Sequence, residues 1–344
     1  MIIRSKAPLR LGLAGGGTDV SPFCDNYGGC VLNVTINMFA YCTIIPTNDG
    51  RIVIDAPDMK QHYEGEAKLE LPIDDNTCLL HKGVYNRIMK KYKYIKPLSF
   101  IMKTSSDAPP GSGLGTSSTM VVCILKAFQE LLNLPLGEYD SAQLAYEIER
   151  NDLNLIGGKQ DQYAATFGGL NFMEFYDNNR VIVNPLRMKK WIKNEFENSI
   201  VLYYTGTSRE SGNIIKEQKK SISNEKSLEA MMEIKHQAEL MKEAVLKGDF
   251  DGIAKCLHLN WIAKKKTASV ISNPEIEEIY NYILDNGGKC AKISGAGGGG
   301  FMMIWCDPMN RYELIKALKK RDGGKVKVVN FVDYGTQAWT IFDE

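Results

Sequence analysis

The sequence contains no C-x-x-C pair, although it has eight cysteines. Most of them lie in apolar segments, as Cys42, Cys123, Cys290 and Cys306 do. A zinc site or a disulfide framework needs regular cysteine spacing, so we expect neither. Buried, reduced thiols in a cytoplasmic protein explain this pattern better.

A net charge of one sign and long apolar runs are also missing. The 42 lysines and arginines nearly balance the 41 acidic residues, and the net charge is +1. Such a protein has no overall field that would attract nucleic acid or an acidic membrane. The first residues show no signal-peptide pattern, and no apolar run is long enough to cross a bilayer. We therefore expect a small-molecule ligand, no nucleic acid or membrane partner, and a monomer or a homodimer.

The segment 109–118, with the sequence PPGSGLGTSS, alternates glycine with small residues and leads into an apolar run. Glycines let backbone N–H groups approach a ligand, and a helix N-terminus favours an anion, so a phosphate site is expected. The hydroxyls of Thr116, Ser117 and Ser118 can cap the helix, and one of them can bind a metal ion. The segment lacks the lysine of a Walker A loop and the G-x-G-x-x-G dinucleotide spacing. A simple capped turn is the alternative interpretation.

The remaining composition is that of a globular protein, and 344 residues leave room for two domains. The hydrophobic pattern predicts strands at 2–13, 30–45, 51–55, 98–103, 170–175, 180–183, 200–205, 289–293, 301–306, 325–332 and 337–342. It predicts helices at 79–92, 117–133, 140–151, 209–220, 226–247, 250–264, 274–286 and 309–320, and a short helical stretch after Gly158. Residues 57–77 are polar and are predicted as an irregular surface segment.

A charged, polar stretch at 189–198 marks the predicted boundary between a domain of residues 1–192 and one of residues 193–344. With its helices grouped, the second part follows the order β-α-β-β-α-β, which is the ferredoxin-like pattern. This order and the missing G-x-G-x-x-G spacing disfavour a Rossmann-type oxidoreductase or nucleotide-binding regulator.

Three glycine-rich segments, at 14–19, 109–118 and 294–300, each follow a predicted strand, which indicates a shared polyphosphate site. Together they resemble the motifs of the GHMP kinases, the small-molecule kinases that include galactose, homoserine, mevalonate and phosphomevalonate members. The motifs correspond to residues 8–19, 109–118 and 292–300, in the family's order. The resemblance implies an α+β fold with an N-terminal domain like ribosomal protein S5 domain 2 and a C-terminal ferredoxin-like domain.

The first motif also bears on the substrate. Gly16 and Gly17 stand where galactokinase-type enzymes carry Glu-His. The segments 7–10, 14–19 and 28–29 resemble those of the D-glycero-D-manno-heptose 7-phosphate kinases, which phosphorylate the anomeric hydroxyl. Fucokinase-like enzymes and other free-sugar kinases are the competing interpretation, and a non-catalytic ligand-binding protein of this fold is a third.

The resemblance implies a role for individual residues, with ATP and Mg²⁺ as cofactors. Asp161 would be the catalytic base, and Arg10 would hold it ionised. Ser117 and Glu149 would bind Mg²⁺, whereas Glu147 lies on a different helical face. The implied ATP-binding residues are Pro110, Gly111, Ser112, Gly113, Leu114, Gly115, Thr116, Ser117, Ser118, Gly297 and Gly298.

The implied substrate-binding residues are Gly16, Gly17, Thr18, Asp19 and Arg209. Arg209 or the lysines at 264–266 would hold a phosphate that the sugar already carries. Structural roles are the alternatives: helix capping for Ser117 and Asp161, turn capping for Asp19, and a solvated helix face for Glu149 and the lysines.

Overall fold

The computed structural model describes residues 1–207, 211–221 and 224–342. Its strands are β1 (Ile2–Ala14), β2 (Gly29–Pro46), β3 (Arg51–Ala56), β4 (Gln61–Glu66), β5 (Phe100–Ser106), β6 (Leu170–Phe175), β7 (Val181–Pro185), β8 (Ile200–Tyr204), β9 (Gly288–Ile293), β10 (Phe301–Cys306), β11 (Lys325–Lys327) and β12 (Gln337–Ile341). Its helices are α1 (Phe23–Tyr27), α2 (Leu79–Lys91), α3 (Thr116–Leu132), α4 (Glu138–Glu147), α5 (Gln160–Phe167), α6 (Lys190–Ser199), α7 (Ser211–Ser221), α8 (Glu225–Lys247), α9 (Phe250–Thr267), α10 (Pro274–Asp285) and α11 (Arg311–Lys320).

The first sheet has the strand order β12-β1-β2-β5-β3-β4, and the hairpin β6–β7 joins it through β2. Its pairs are antiparallel except for β3 with β5. Helices α2 and α3 bury one face of this sheet, where Phe100 of β5 packs with Tyr85 and Phe128 of the helices. Helix α3 is apolar on most faces because it lies inside this core, as its sequence predicts.

The second sheet has the antiparallel strand order β11-β8-β10-β9. Helices α10 and α11 pack on one face of it, with Ile279, Ile283 and Leu314 against Ile293 and Ile304. Strands β8, β9, β10 and β11 with their intervening helices give the predicted β-α-β-β-α-β order. The α+β prediction is therefore confirmed, and the predominantly antiparallel pairing of both sheets excludes the Rossmann interpretation.

A shared apolar core joins the two sheets. Leu11 and Leu13 of β1 belong to one buried cluster with Met303 of β10, Met241 of α8 and Leu257 of α9. The chain also crosses back after β11, because β12 pairs with β1. These contacts bring the ends of β1, β5 and β9 to one place, and a glycine-rich loop follows each of those strands.

Two local predictions are wrong, and one helix was not predicted. The segment 57–77 contains β4, an edge strand whose polar residues are partly exposed on both faces, so it carries no apolar alternation. The polar stretch at 189–198 is largely helix α6, which buries Ile192 and Phe196. Only Lys325–Lys327 of the predicted strand 325–332 is a strand, because the following residues cross towards the first sheet. The division at residue 192 stays a prediction.

All eight cysteines are buried free thiols, as predicted. Burial raises the pKa of Cys123 and Cys290 to about 12, which keeps these thiols protonated. Within the described ranges, no helix combines the length and the apolar character that a membrane span needs.

Candidate active site

A cavity of about 610 Å³ opens where the three glycine-rich loops meet. The first domain contributes the loops after β1 and β5, the start of α5 and the segment before it. The second domain contributes helices α7 and α9 and the loop after β9. The lining residues are Arg10, Gly17, Asp19, Val20, Pro110, Gly111, Gly113, Gly115, Thr116, Ser117, Ser118, Glu149, Arg150, Leu155, Ile156, Gly157, Gly158, Gln160, Asp161, Gly212, Ile215, Gln218, Lys264, Gly295 and Ala296.

The loop before α3 presents only part of the predicted ATP-binding set to the cavity. Ser112 and Leu114 are fully buried and do not line it. The Oγ of Ser112 lies 3.2 Å from the Oγ1 of Thr116, and Leu114 joins the apolar core. The other predicted residues of this loop line the cavity, so the alternating sequence places some positions at the cavity and packs others in the interior.

Helix α3 begins without a side-chain cap. Its N-cap residue is Gly115, whose φ of 76° is in the left-handed region, and no hydroxyl of Thr116, Ser117 or Ser118 caps the helix. The predicted capping role of these hydroxyls is therefore wrong. All three residues line the cavity instead, together with the positive end of the helix dipole.

Arg10 and Asp161 form a buried ion pair at the cavity wall. The Nε and Nη2 of Arg10 lie 2.7 and 2.6 Å from the Oδ1 of Asp161. The Nη1 of Arg10 donates to the carbonyl of Gly113 at 2.6 Å, which ties the pair to the loop before α3. The side chain of Arg10 is 4% exposed and that of Asp161 is 23% exposed, so the carboxylate keeps access to the cavity. Asp161 lies in the first turn of α5 and not at its N-cap.

Glu149 lies in a π-helical turn, Ile148–Asp152, that follows α4. The Nε2 of Gln162 donates to the Oε2 of Glu149 at 2.5 Å and to the Oγ of Ser118 at 3.1 Å. The Nη1 of Arg150 lies 3.6 Å from the Oε1 of Glu149. The carboxylate of Glu149 is 1% exposed, but it lines the cavity. A solvated helix carboxylate is thus excluded.

The donor set near Glu149 fits a magnesium ion. Ser117 is exposed at the cavity and Glu149 lies on its wall, so a hydroxyl and a carboxylate oxygen border the same space. Mg²⁺ takes such oxygen ligands together with phosphate oxygens and water. Glu147 points elsewhere, because it forms an ion pair with Arg87.

Asp19 has its acceptor positions filled by the protein. Its Oδ2 accepts from the backbone N–H groups of Lys159 and Gln160 at 2.8 and 3.0 Å. Its Oδ1 accepts from the Nε2 of Gln160 and the N–H of Gly17, both at 3.2 Å. Asp19 therefore joins the first glycine loop to the start of α5, the helix that carries Asp161. Its predicted contact with the sugar stays a prediction.

Thr18 is fully buried and does not line the cavity. Its Oγ1 donates to the carbonyl of Gly15 or Cys30, each at 2.8 Å, so it fixes the fold of the first loop. The carbonyl of Gly16 accepts from the Nζ of Lys264 at 3.3 Å. Of the predicted substrate residues, Gly17 and Asp19 line the cavity, and Arg209 lies outside the described residues.

Only one of the lysines at 264–266 reaches the cavity. Lys264 lines it, is 3% exposed, and donates to the carbonyl of Gly295 at 2.7 Å. Burial lowers the pKa of Lys264 to about 8. Lys265 pairs with Glu277 at 3.0 Å, and Lys266 is exposed on another helix face.

The third glycine loop contributes Gly295 and Ala296 to the lining. Gly297 and Gly298 instead pack on Ile271, whose carbonyl accepts from the N–H of Gly298 at 2.8 Å. The predicted contact of Gly297 and Gly298 with ATP stays a prediction.

Comparison with known proteins agrees with this architecture. The family model for the GHMP kinases N terminal domain matches residues 80–169, and the model for GHMP kinases C terminal matches residues 241–323. D-glycero-alpha-D-manno-heptose 7-phosphate kinase of Campylobacter jejuni is 52% identical over 339 residues, covering 98% of this chain and 99% of that protein. The chain belongs to the GHMP kinases.

Two further relatives differ in their sequence identity to this GHMP kinase and in the share of their own length that it covers. The crystal structure of a D-glycero-D-manno-heptose 1-phosphate kinase from Bacteriodes thetaiotaomicron has a TM-score of 0.85 at 48% identity, covering 99% of this chain and 100% of that one. A bifunctional fucokinase/GDP-fucose pyrophosphorylase of Arabidopsis thaliana is 25% identical, over 94% of this chain but 32% of that protein. The predicted superfamily and the resemblance to heptose 7-phosphate kinases are confirmed.

Several cavity residues of this GHMP kinase had no predicted role. Arg150 lies beside Glu149 in the π-helical turn, and Gln160 orients Asp19. Three apolar residues of the lining come from segments that no motif marks, namely Leu155 and Ile156 before α5, and Ile215 on α7. A sequence reader could have found Gln160 from its place beside Asp161, but the other positions follow from tertiary packing alone.

Proposed function

We propose that this GHMP kinase transfers the γ-phosphoryl group of ATP to the anomeric hydroxyl of D-glycero-D-manno-heptose 7-phosphate, giving the 1,7-bisphosphate. The observation that carries the proposal is the Arg10–Asp161 pair at the wall of a cavity bounded by three glycine-rich loops. The identity of 52% to a heptose 7-phosphate kinase supports this choice of sugar.

Asp161 is the base of the proposed reaction. Its Oδ1 is held by Arg10, while the described residues provide no hydrogen-bond partner for its Oδ2. The free oxygen is suited to accept the proton of the sugar hydroxyl as that hydroxyl attacks phosphorus. The ion pair with Arg10 holds the carboxylate of Asp161 in position at the cavity wall.

The phosphates of ATP bind at the loop before α3, with Ser117 and Glu149 holding Mg²⁺. The first turn of α3 and the glycines before it offer backbone N–H groups to an anion. When bound, the metal ion neutralises charge on the phosphates. Gln162 fixes the carboxylate of Glu149 by its bond at 2.5 Å, so the carboxylate is oriented before any ligand arrives.

Removing either magnesium ligand should raise the magnesium requirement. In Ser117→Ala and Glu149→Gln, we expect the apparent Mg²⁺ affinity in steady-state kinetics to fall by at least about tenfold. Glu147→Gln is the matched control, because Glu147 pairs with Arg87 away from the cavity and should leave this affinity unchanged. Thermal melting checks the fold of each variant. An unchanged magnesium requirement in both site variants would remove these residues from the metal site.

The proposed substrate already carries a phosphate, so the enzyme should use the phosphorylated heptose much better than the free heptose. A charge-assisted contact contributes about 1.5–3 kcal/mol, so we expect kcat/KM for heptose 7-phosphate to exceed that for the free heptose by at least about tenfold. Mass spectrometry of reactions with the 7-phosphate, the 1-phosphate, free heptose and fucose measures this preference. On the sequence alone, Arg209 is a proposed contact to this phosphate, and Arg209→Ala should reduce the preference.

The other outcomes of the substrate panel are distinct. Preference for the 1-phosphate would favour the activity named for the relative from Bacteriodes thetaiotaomicron, a second candidate supported by 48% identity. Better use of fucose would favour a fucokinase-like enzyme, and no turnover with any sugar would favour a non-catalytic protein. We also propose a cytoplasmic monomer or homodimer, which the eight free thiols support as far as the compartment is concerned.

A further inference from the structure

Lys264 lies where the proposed sugar and nucleotide loops meet. It is near the end of α9 in the second domain, and its Nζ donates to Gly295 of the third glycine loop at 2.7 Å. The same Nζ lies 3.3 Å from the carbonyl of Gly16 in the first loop. The lysine is 3% exposed and lines the cavity. A cation in this position faces the space between the two substrates.

Arg10 of β1 and Lys264 of α9 each donate to one of two glycine loops that touch, the loop before α3 and the loop after β9. Arg10 donates to the carbonyl of Gly113, and Lys264 donates to the carbonyl of Gly295. The backbones of these glycines are in contact, since a Cβ built on Gly295 would lie 2.8 Å from the Cα of Gly113. The two cations therefore flank one point of contact between the loops.

The ammonium of Lys264 has an unused donor. It has three N–H bonds, and in the described part of the chain its hydrogen bonds are those to two carbonyl groups. Its charged neighbours are Asp19 and Asp161, which favour its charge, and Arg10 and Lys292, which oppose it. A buried cation without a hydrogen-bonded carboxylate is stabilised when an anion enters the cavity.

We propose that Lys264 is a catalytic residue that contacts the phosphoryl group while it passes from ATP to the sugar. This inference rests on the proposed function. The bond between the γ-phosphorus and its bridging oxygen breaks, and ADP leaves with the electron pair. The bond between the sugar oxygen and phosphorus forms, and the hydroxyl proton goes to Asp161. The third donor of Lys264 stabilises the negative charge on the transferring oxygens.

Proton uptake on nucleotide binding tests this contact without any sugar. The pKa of about 8 leaves Lys264 roughly half charged at pH 8, and a contacting phosphate should raise the pKa and complete the charge. We expect the magnesium complex of a non-hydrolysable ATP analogue to take up about half a proton more than ADP does. Calorimetric titration at pH 8 in two buffers of different ionisation enthalpy measures this difference. In Lys264→Arg the side chain is charged before any nucleotide binds, so the extra proton uptake with the ATP analogue should vanish.

Three results of the titration would overturn the proposal. Equal uptake with both nucleotides would overturn the proposal, as would an undiminished difference in Lys264→Arg. Extra uptake that appears only with heptose 7-phosphate would assign Lys264 to the sugar's own phosphate and would also overturn it. A wrong choice of sugar does not affect the nucleotide titration, so failure of the proposed function is recognised separately in the substrate panel.

Kinetics of variants provide the second measurement. With the sugar that the wild-type enzyme uses best, Lys264→Met should lower kcat by about a hundredfold, and Lys264→Arg should restore part of the loss. Lys265→Gln and Lys266→Gln are the matched controls and should keep kcat, because neither side chain reaches the cavity. Near-normal kcat in a folded Lys264→Met enzyme would contradict the proposal. If this variant does not fold, the titration of the wild-type enzyme still decides.

Discussion

Asp161→Asn should lower kcat by at least about a hundredfold while nucleotide affinity stays close to that of the wild-type enzyme. The amide has nearly the shape of the carboxylate and can still accept from Arg10, but it cannot take up the hydroxyl proton. ADP binds without a proton transfer, so its affinity should not depend on this exchange. Steady-state kinetics and calorimetric titration with ADP measure the two quantities.

The fold of the Asp161→Asn variant needs a separate control. Arg10 is buried and loses its anionic partner in this variant. Breaking a buried ion pair completely lowers the free energy of unfolding by about 3–5 kcal/mol, which is the upper limit of the loss here. Thermal melting should show whether the neutral amide keeps Arg10 in place. A folded variant with near-normal kcat would show that Asp161 is not the base.

The sequence predicted the elements whose apolar residues form a long, clear pattern, either along one face or on most faces. Strands β1 and β2 and helix α3 are examples, because each buries an apolar face or is buried on most faces. Strand β4 was missed, since an edge strand with polar residues on both faces has no such pattern. Helix α6 was missed because charged residues surround its few buried positions.

The pairing of Arg10 with Asp161 could be anticipated only from the family motifs. Arg10 and Asp161 are far apart in sequence, and local spacing does not indicate that they meet. For Asp19 the motif predicted a contact with the sugar but did not indicate its structural role. Its carboxylate accepts from backbone N–H groups at the start of α5. A cap supplied from a distant loop leaves no local capping pattern that a sequence reader could use.

The orientation of loop and helix residues is likewise set by packing. Within the loop before α3, Ser112 and Leu114 are buried, because the carbonyl of Ser112 accepts from the N–H of Phe301 in β10 and that of Leu114 accepts from the N–H of Arg10 in β1. Among the lysines at 264–266, successive residues on a helix point in different directions, so one position can face the cavity. The sequence located this cluster but could not identify Lys264 as its cavity member.

Gly113→Ala should be strongly damaging, because this glycine lies where two of the glycine loops touch. A Cβ at this position would lie 2.2 Å from the carbonyl oxygen of Ser294, and the φ of 81° is in the left-handed region. The steric overlap and the backbone strain together should lower the free energy of unfolding by about 2–5 kcal/mol. The contact between the two domains must also widen, which displaces the carbonyl that Arg10 binds. We therefore expect both the melting temperature and kcat to fall.

Gly16→Ala is the matched control for this exchange, because it adds the same methyl group to another loop at the cavity. Its Cβ would lie 3.6 Å from the Nζ of Lys264, an ordinary contact, and Gly16 does not have a positive φ. The free energy of unfolding should therefore change by no more than about 0.5 kcal/mol. Chemical denaturation of both variants tests the comparison directly. Equal stability of Gly113→Ala and Gly16→Ala would mean that the loops can separate at Gly113 without cost, and that Arg10 does not depend on their contact for its position.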